Sequence, residues 1–305
     1  MGVRVAVVGE ALVDLLWRTG ERQARAVPGG SPANVAVGLH RLGRPVTLLT
    51  SWGDDPPGAL VDAHLGGIGV EVRRLATAEP ARTTVALAYL GADGSADYDF
   101  LTAWAPSEFP LPADTAVLHT GSLAVAVEPG ASRVLDLCRR ERAAGRLVAA
   151  DLNVRPAVRP DRADYRHRAE QLAGVVHVLK ASDEDLGWLY PDHTAEEAAR
   201  TLLAFGPELV VVTLGERGAF ALTAGHRVSV PAPEVQVVDT VGAGDAFQAA
   251  LLDALVERGN VPVDSLDPVD PAPLTALLER CVHAAALTCT REGADPPTRA
   301  ELLPS

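Results

Sequence analysis

The sequence predicts an α/β fold, and three observations lead to that prediction. Val3–Val8 is a short, almost fully apolar run that ends at Gly9, which is the pattern of a central parallel strand. After about residue 110, apolar strand-like runs alternate regularly with stretches of helical spacing. The chain has 305 residues, which is long enough for one large domain of this class. Because open α/β sheets bind ligands at the carboxyl ends of their strands, we expect functional side chains to follow the strands.

Composition excludes several classes of partner. The net charge is −13 and the isoelectric point is near 5.0, which argues against nucleic acid and anionic membranes as partners. A phosphorylated ligand must therefore be held by local dipoles, a metal ion or a few arginines. The three cysteines show no CxxC spacing, so neither a zinc site nor a disulfide framework is predicted. Without a signal-peptide pattern or an apolar run of membrane-spanning length, we expect a cytoplasmic protein.

The segment 234–256 predicts a strand, a glycine-rich turn and a helix in succession. Val235–Val238 is expected to be a buried strand, and apolar residues recur at helical spacing after residue 246. The turn between them contains Gly242, Ala243 and Gly244, so several backbone N–H groups and the positive end of the helix converge on one spot. Such a spot binds an anion, and the two glycines let a phosphate approach the backbone closely.

Asp245 lies in the same turn and gives it a second property. A purely phosphate-binding loop of the GxxxxGK[ST] type would carry lysine, and the chain lacks that pattern. A carboxylate beside an anion site indicates a base next to a transferring phosphoryl group. The alternative is an ordinary helix-capping role for Asp245.

Further polar residues follow the first strand. Asp14 lies in GEALVD, where it could also be a plain turn or edge residue. Ser31, followed by proline, predicts the N-cap of a helix that ends near Gly43. These structural roles leave the double glycine Gly29-Gly30 and Asn34 unexplained, because asparagine is a poor helix former in a first turn.

Both segments resemble signatures of the PfkB (ribokinase-like) carbohydrate kinases. DTVGAGDAF (239–247) matches DTxGAGDxF without a gap, and GGSPANVAVGLHRLG (29–43) resembles GG(A/S)xxNxAxxxxRLG. The resemblance extends over nearly the whole chain. It implies a doubly wound, mainly parallel sheet flanked by helices with a small β lid, which we interpret as one kinase domain over residues 1–305.

The resemblance also implies an activity and its site. The expected reaction is ATP-dependent phosphorylation of a sugar hydroxyl with Mg²⁺, in which Asp245 takes the hydroxyl proton. The amides of Gly242, Ala243 and Gly244 would then stabilise the charge on the transferred phosphoryl group. The sugar hydroxyls would be bound by four residues of the N-terminal part, namely Asp14, Gly29, Gly30 and Asn34.

The lid is predicted from an interruption in the βα rhythm. Residues 83–90 alternate, a turn follows at 91–94, and 95–101 returns with Tyr98 and Phe100 on one face, which indicates a hairpin. With residues 14–27 the hairpin could form a small sheet that stands off the main domain, although an edge hairpin of the main sheet is the alternative. By the resemblance we place the lid at about 12–28 and 82–104. Because its exposed surface would otherwise aggregate, we expect a homodimer formed through it.

Two further strand ends carry charged residues. In 151–156 (DLNVRP), which resembles the DxNxR element of fructokinases and ketodeoxygluconate kinases, Arg155 would lie near the sugar or the phosphate; the alternative is a salt bridge with a nearby carboxylate. Asp185 stands where the family carries the Glu of an (N/S)xxE element, which holds the water shell of Mg²⁺. It is one methylene shorter, so Glu184 could substitute, and an acidic helix start is favourable by itself.

The nucleotide and cation positions are implied by the resemblance alone. The sequence after the strand at 209–213 resembles a TxGxxG turn near the nucleotide, in Thr213, Gly215 and Gly218. The helix with His283 resembles the wall of the adenine site, next to a monovalent-cation site at which Asp239 and K⁺ are expected. Residues 261–273, rich in Asp and Pro, are expected to form an exposed loop.

The most favoured substrate is fructose, converted to fructose 6-phosphate, because GEALVD, RTTVAL, DLNVRP and TREGADPPTR most resemble fructokinases. The second lid strand lacks the arginine of many fructokinases and ketodeoxygluconate kinases, which weakens a ketodeoxygluconate substrate. Ribokinase-type phosphorylation of another sugar is a further alternative. From other classes, a non-catalytic sugar-binding protein is disfavoured by the intact Asp245, and a nicotinamide-dependent enzyme by the absence of GxGxxG after Gly9.

Overall fold

A computed structural model describes residues 3–77, 81–91, 96–259 and 271–303. The strands are β1 (Arg4–Val8), β2 (Leu12–Arg18), β3 (Ala24–Gly29), β4 (Val46–Thr50), β5 (Glu71–Arg74), β6 (Thr84–Leu90), β7 (Ala96–Leu101), β8 (Thr115–Gly121), β9 (Leu147–Asp151), β10 (Val178–Ser182), β11 (Leu209–Thr213), β12 (Ala219–Leu222) and β13 (Arg227–Val230). The helices are α1 (Ser31–Arg41), α2 (Pro56–Ile68), α3 (Gly130–Ala143), α4 (Arg162–Ala173), α5 (Asp183–Leu189), α6 (Ala195–Leu203), α7 (Ala243–Glu257), α8 (Ala272–Cys289) and α9 (Arg299–Leu302). Short 3₁₀ turns occupy Ser122–Val125 and Gly215–Arg217.

The main sheet has the order β13-β12-β11-β10-β9-β8-β1-β4-β5. The strands from β11 to β5 pair in parallel, and β12 and β13 are added antiparallel at one edge. From β1 the chain builds outward through β4 and β5, then returns to the other side of β1 and builds outward through β8 and β9. The winding therefore reverses between β1 and β8, which confirms the predicted doubly wound sheet.

Helices cover both faces of this sheet, and each face has its own apolar core. Buried residues of α1, α2, α7 and α8 pack on one face, around Leu39, Phe247 and Leu278. Buried residues of α3, α4, α5 and α6 pack on the other, around Leu137 and Tyr165. A parallel sheet needs both faces covered, which explains why its strands are apolar runs with little alternation. The predicted helical spacing after residue 246 is confirmed, since α7 is buried along almost its whole length.

A second sheet of order β3-β2-β6-β7 is the small sheet predicted from residues 14–27 and the hairpin. The hairpin of β6 and β7 thus belongs to its own sheet and is not an edge of the main one; its turn, predicted at 91–94, falls mostly outside the described residues. Asp14 lies on β2, a strand paired on both sides, and so is neither a turn nor an edge residue. The register puts Asp14, Tyr98 and Phe100 on one face of this sheet, and the last two rings stack at 6.1 Å.

Two local predictions are wrong. Residues Val235–Val238 form no strand and are exposed, Val238 by 62%. β13 already ends the sheet at Val230, and Pro231 and Pro233, which follow it, cannot donate to a ladder, so the chain leaves the sheet there. Ser31 is not an N-cap, because α1 is preceded by Gly30 at the cap and the Ser31 hydroxyl is engaged elsewhere.

The expected exposed loop at 261–273 lies almost entirely outside the described residues. In the part of the chain that the structure describes, no helix is long and apolar enough to cross a membrane.

Candidate active site

The reversal of the winding at β1 and β8 opens a crevice at their carboxyl ends. Glu10, which follows β1, accepts hydrogen bonds from the backbone N–H groups of Leu123 (3.4 Å) and Ala124 (3.2 Å) in the 3₁₀ turn after β8. Burial raises the pKa of Glu10 to about 7, against hydrogen bonds to Ser122 and Leu123 that favour its charged form. Glu10 thus links the end of β1 to the 3₁₀ turn that follows β8.

Asp245 lies in the first turn of α7, with 8% of its surface exposed. Its Oδ1 accepts a hydrogen bond from the Ser31 hydroxyl at 2.6 Å, and its Oδ2 accepts one from Asn34 Nδ2 at 2.8 Å. The cap of α7 is Gly242 at φ 77°, without a side-chain capping bond. The capping alternative for Asp245 is therefore excluded, because its carboxylate points away from the end of its own helix and toward α1.

Burial and the neighbouring groups act in opposite directions on the pKa of Asp245. Burial raises the pKa of the Asp245 carboxyl above its ordinary value, whereas the bonds from Ser31 and Asn34 and the positive charges of Lys180 and Arg155 lower it. A carboxylate whose pKa is raised toward neutrality is a better proton acceptor than an exposed one.

The glycine-rich turn packs on the segment after α8. A Cβ on Gly242 would stand 2.6 Å from Ala294 Cβ, and its φ of 77° disfavours any side chain. Asp239 joins the two segments, because its Oδ1 accepts from Val241 N–H at 3.1 Å and its Oδ2 from Gly293 N–H at 2.9 Å. This bracing fixes the path of the turn and therefore the direction of its N–H groups.

The double glycine makes room for backbone and side chain at the base of the small sheet. A Cβ on Gly29 would lie 2.7 Å from Asp14 Oδ2. Gly30 has φ 108°, and its Cβ would lie 2.7 Å from the Glu10 carbonyl oxygen. Burial raises the pKa of Asp14 to about 6, opposed by the charge of Arg155 and reinforced by that of Asp245. The structure therefore brings Asp14, Gly29 and Gly30 to the same crevice as Asp245.

Arg155 contributes an uncommitted positive charge to the crevice. Its guanidinium donates to the Val154 carbonyl at 3.1 Å, and it forms no ion pair with any residue within the described ranges. Its charge nonetheless favours the ionised forms of Glu10, Asp14 and Asp245. The alternative of a structural salt bridge is thus not what the described residues show.

Sequence reasoning missed a buried ion pair beside the turn. Lys180 of β10 donates to Asp151 Oδ2 of β9 at 2.6 Å, and the two residues are direct neighbours in register. Their side chains are 4% and 3% exposed. A Cβ on Gly244 would lie 3.6 Å from Lys180 Nζ, so the ammonium stands directly under the turn. One signal was available, because Lys180 is the only lysine in the chain.

The Asp185 carboxylate caps the N-terminus of α5 and is engaged by two backbone N–H groups. Its Oδ1 accepts from Val154 N–H at 2.7 Å and its Oδ2 from Ser182 N–H at 2.8 Å, so it fixes the loop that carries Arg155. Glu184, the predicted substitute, is exposed. No group of three or more acidic, His or Cys side chains that could cage a metal occurs among the residues described.

The predicted nucleotide residues lie at the end of β11, in the turn that follows it and on α8. Thr213 ends β11 and stands opposite Ser182 in register. Gly215 (φ 58°) and Gly218 (φ 94°) shape the turn into β12, where a Cβ on Gly218 would lie 2.1 Å from a backbone oxygen of β13. His283 is exposed on α8, a helix that packs against β12 and β13.

Comparison with known proteins assigns the chain to a family. Residues 3–301 match the pfkB family carbohydrate kinase domain, which is nearly the whole chain. The chain belongs to the pfkB family. This pfkB kinase is 34% identical to a fructokinase of Klebsiella pneumoniae over 301 residues, with 96% of this chain and 95% of that one covered.

Solved structures of pfkB kinases share its fold. A fructokinase from Xylella fastidiosa with bound ATP superposes with a TM-score of 0.86 at 28% identity, over 98% of this chain and 96% of that one. A fructokinase double mutant from Vibrio cholerae O395, in fructose, ADP and potassium ion bound form, gives a TM-score of 0.77 at 28% identity, with 96% and 94% covered.

Proposed function

We propose that this pfkB kinase is a fructokinase, which transfers the γ-phosphoryl group of ATP to a hydroxyl of D-fructose. The observation that carries the proposal is the buried Asp245 carboxylate, placed at the start of α7 within the turn of Gly242, Ala243 and Gly244. A proton acceptor and a phosphate-binding helix end meet there, which is what phosphoryl transfer to a hydroxyl needs. Fructose is chosen because relatives covering nearly the whole chain are fructokinases.

The sugar is bound on the side of the crevice formed by Asp14, Gly29, Gly30 and Arg155. A carboxylate accepts from two hydroxyls at once, and the forked guanidinium of Arg155 donates to sugar or phosphate oxygens. Asn34 has its carbonyl oxygen for the sugar, because its amide nitrogen is given to Asp245.

Asp245 accepts the proton of the hydroxyl that attacks the γ-phosphorus. Ser31 and Asn34 hold one lone pair on each carboxylate oxygen, so the carboxylate is fixed in orientation and keeps free lone pairs for the substrate. The backbone N–H groups of the turn and the helix end stabilise the charge that develops on the phosphoryl oxygens. ATP is bound toward the predicted nucleotide group, namely Thr213, Gly215, Gly218 and His283.

The residues present fit Mg²⁺ and a monovalent cation. Mg²⁺ keeps most of its waters and takes one or two carboxylates besides substrate phosphates, so it needs no protein cage, and buried Asp151 Oδ1 has no partner among the described residues. Asp185 is proposed to hold a water of this ion, which would neutralise phosphate charge. Asp239 accepts two N–H groups and retains lone pairs for K⁺.

We further propose that the chain acts as one kinase domain with the small sheet as its lid. Tyr98 lies on the face of that sheet that carries Asp14, and burial followed by the charge of Asp14 raises the pKa of the Tyr98 hydroxyl. Closure of such a lid excludes water, which otherwise competes with the sugar as acceptor.

Coupled ADP release tests the proposal. Wild type, Asp245→Asn and the exposed-site control Asp136→Asn are assayed with fructose, ribose, ketodeoxygluconate and no sugar. We expect fructose-dependent turnover that falls on the order of 10²- to 10⁴-fold in Asp245→Asn and is unchanged in the control. Turnover with another sugar would keep the mechanism and reject fructose. No sugar-dependent ADP release by wild type would reject the sugar-kinase function itself.

A further inference from the structure

The use of basic residues in this chain singles out one position. Of the 27 lysine and arginine residues, 26 are arginine and the remaining one is Lys180. Arginine serves at every other cationic position, including the buried cluster around Asp253. Lys180 therefore carries the single ammonium side chain of the sequence, and it is 3% exposed on a strand inside the main sheet.

The surroundings of Lys180 provide a partner of opposite charge for its buried side chain. A buried ionic group is costly unless it is paired and hydrogen-bonded. Asp151 lies beside it at 2.6 Å on the neighbouring strand and supplies the opposite charge. His119, on the same face of the sheet, is kept neutral, because burial and then the charge of Lys180 lower its pKa to about 3.

The ammonium is aimed at the catalytic turn. Lys180 Nζ is 3.6 Å from the position that a Cβ of Gly244 would take, and Gly244 precedes Asp245 directly. Charges that act on Asp245 come from several elements: Lys180 and Arg155 favour its ionised form, and the reciprocal repulsion with Asp14 and Asp151 disfavours it. Arg155 is partly exposed and so more screened by solvent, whereas Lys180 acts through the dry interior, where a charge reaches further.

We propose that Lys180, fixed by Asp151 beneath the Gly242–Gly244 turn, is the positioning residue that keeps the buried Asp245 carboxylate ionised at neutral pH. The inference rests on the proposed role of Asp245 as proton acceptor. In this proposal Lys180 acts through Asp245, where its charge opposes the cost of burying that carboxylate. It is distinct from Arg155, which faces the sugar.

A matched pair of variants separates charge from packing. Lys180→Met keeps the length of the side chain and removes its charge, whereas Lys180→Arg keeps the charge. In Lys180→Met we expect the acid limb of kcat to move up by about one pH unit or more, with activity lost about tenfold at pH values below the limb and regained as pH rises. The KM for fructose should hardly change. In Lys180→Arg the acid limb should stay at its wild-type pH, even if kcat falls. An unchanged acid limb in Lys180→Met, or an equal displacement in both variants, would overturn the proposal.

A second measurement needs neither turnover nor a foldable Lys180 variant. Because the chain has a single lysine, protein labelled with ¹³C,¹⁵N-lysine gives one lysine side-chain signal in an NMR spectrum. We expect that signal to move in Asp245→Asn and to titrate in wild type as Asp245 ionises, with Asp136→Asn as the unchanged control. An identical signal in wild type and Asp245→Asn across the pH range would refute the coupling. If wild type shows no sugar-dependent ADP release, the kinase function fails, and this signal still decides the link between Lys180 and Asp245.

Discussion

Asn34 Nδ2 donates a 2.8 Å hydrogen bond to Asp245 Oδ2 and so joins the first turns of α1 and α7, 211 positions apart in sequence. With the 2.6 Å bond from Ser31, it gives the carboxylate two donors from one turn of helix. Two residues of the N-terminal signature thus hold the carboxylate of the C-terminal signature that we propose as the proton acceptor. Asn34 has this function in addition to the sugar contact that the resemblance implies.

Asn34→Ala should therefore change the pH dependence of catalysis. Removal of a hydrogen bond to the charged form raises the pKa of Asp245 further, so a larger fraction of enzyme is protonated and inactive below neutrality. We expect the acid limb of the kcat profile to move up by about one unit. If KM for fructose rises while the limb stays in place, Asn34 acts on the sugar and not through Asp245.

Much of the architecture follows from sequence patterns alone. The apolar run of β1 indicates a strand buried on both faces, and an alternating hairpin that interrupts a βα rhythm indicates either a separate sheet or an edge of the main one. Glycines with positive φ, such as Gly242, mark places where the backbone itself must approach a ligand or another segment.

What could not be predicted depends on contacts between distant segments. Val235–Val238 has a strand-like composition, yet the chain leaves the sheet after β13, where Pro231 and Pro233 cannot donate to a ladder. Ser31 has the sequence of an N-cap, but its hydroxyl donates a hydrogen bond to a carboxylate 214 positions away. Local propensity carries no information about such partners.

If Asp14 binds the sugar as proposed, sugar binding should depend on pH. Its pKa is raised to about 6, so the carboxylate is protonated below that pH and ionised above it. Since an ionised carboxylate accepts more strongly from hydroxyls, KM for fructose should rise as pH falls through about 6. In Asp14→Asn we expect KM to be raised roughly tenfold or more and to lose this pH dependence, with kcat less affected. Initial-rate measurements from about pH 5 to about pH 8, a range around the raised pKa, decide it. An Asp14→Asn enzyme whose KM still follows pH would exclude Asp14 as the titrating group.

The two glycines of the turn should respond differently to alanine. Gly242→Ala puts a Cβ at φ 77° and 2.6 Å from Ala294 Cβ, which costs on the order of 1–3 kcal/mol and displaces the turn. Gly244→Ala meets only Lys180 Nζ at 3.6 Å and has no positive φ, so the fold should tolerate it. Thermal melting should show a lowered Tm for Gly242→Ala alone. Equal loss of stability in both variants would show that packing around the turn is not as described.

Self-association should depend on the outer face of the small sheet. Trp17 (40% exposed), Tyr89 (36%) and Leu101 (64%) share the face opposite Asp14, and the rings of Trp17 and Tyr89 are 6.3 Å apart. An exposed apolar sheet face of this kind is typical of an interface between copies. By sedimentation we expect a wild-type dimer and a shift toward monomer in Leu101→Lys. A dimer of undiminished strength in that variant would place the interface elsewhere, and a wild-type monomer would refute dimerisation.

Stability should depend strongly on one buried carboxylate far from the crevice. Asp253 of α7 is fully buried and bonded to three arginines, Arg44 at 2.5 Å, Arg299 at 2.8 Å and Arg280. Asp253→Asn would remove the shared buried anion of Arg44 and Arg280, whose side chains are 13% and 12% exposed, and of the more exposed Arg299, which should cost about 3–5 kcal/mol. The matched control is Asp136, whose pair with Arg139 is exposed by 74% and 50%, so Asp136→Asn should change the free energy of unfolding by less than about 1 kcal/mol. Urea unfolding measures both, with an unchanged m-value expected because the surface exposed on unfolding is the same.

If Asp253→Asn were as mild as the control, the remaining carboxylate would be sufficient to hold the arginines. That carboxylate is Glu257, which also pairs with all three. Asp253→Asn combined with Glu257→Gln would then show the loss that neither single change produces.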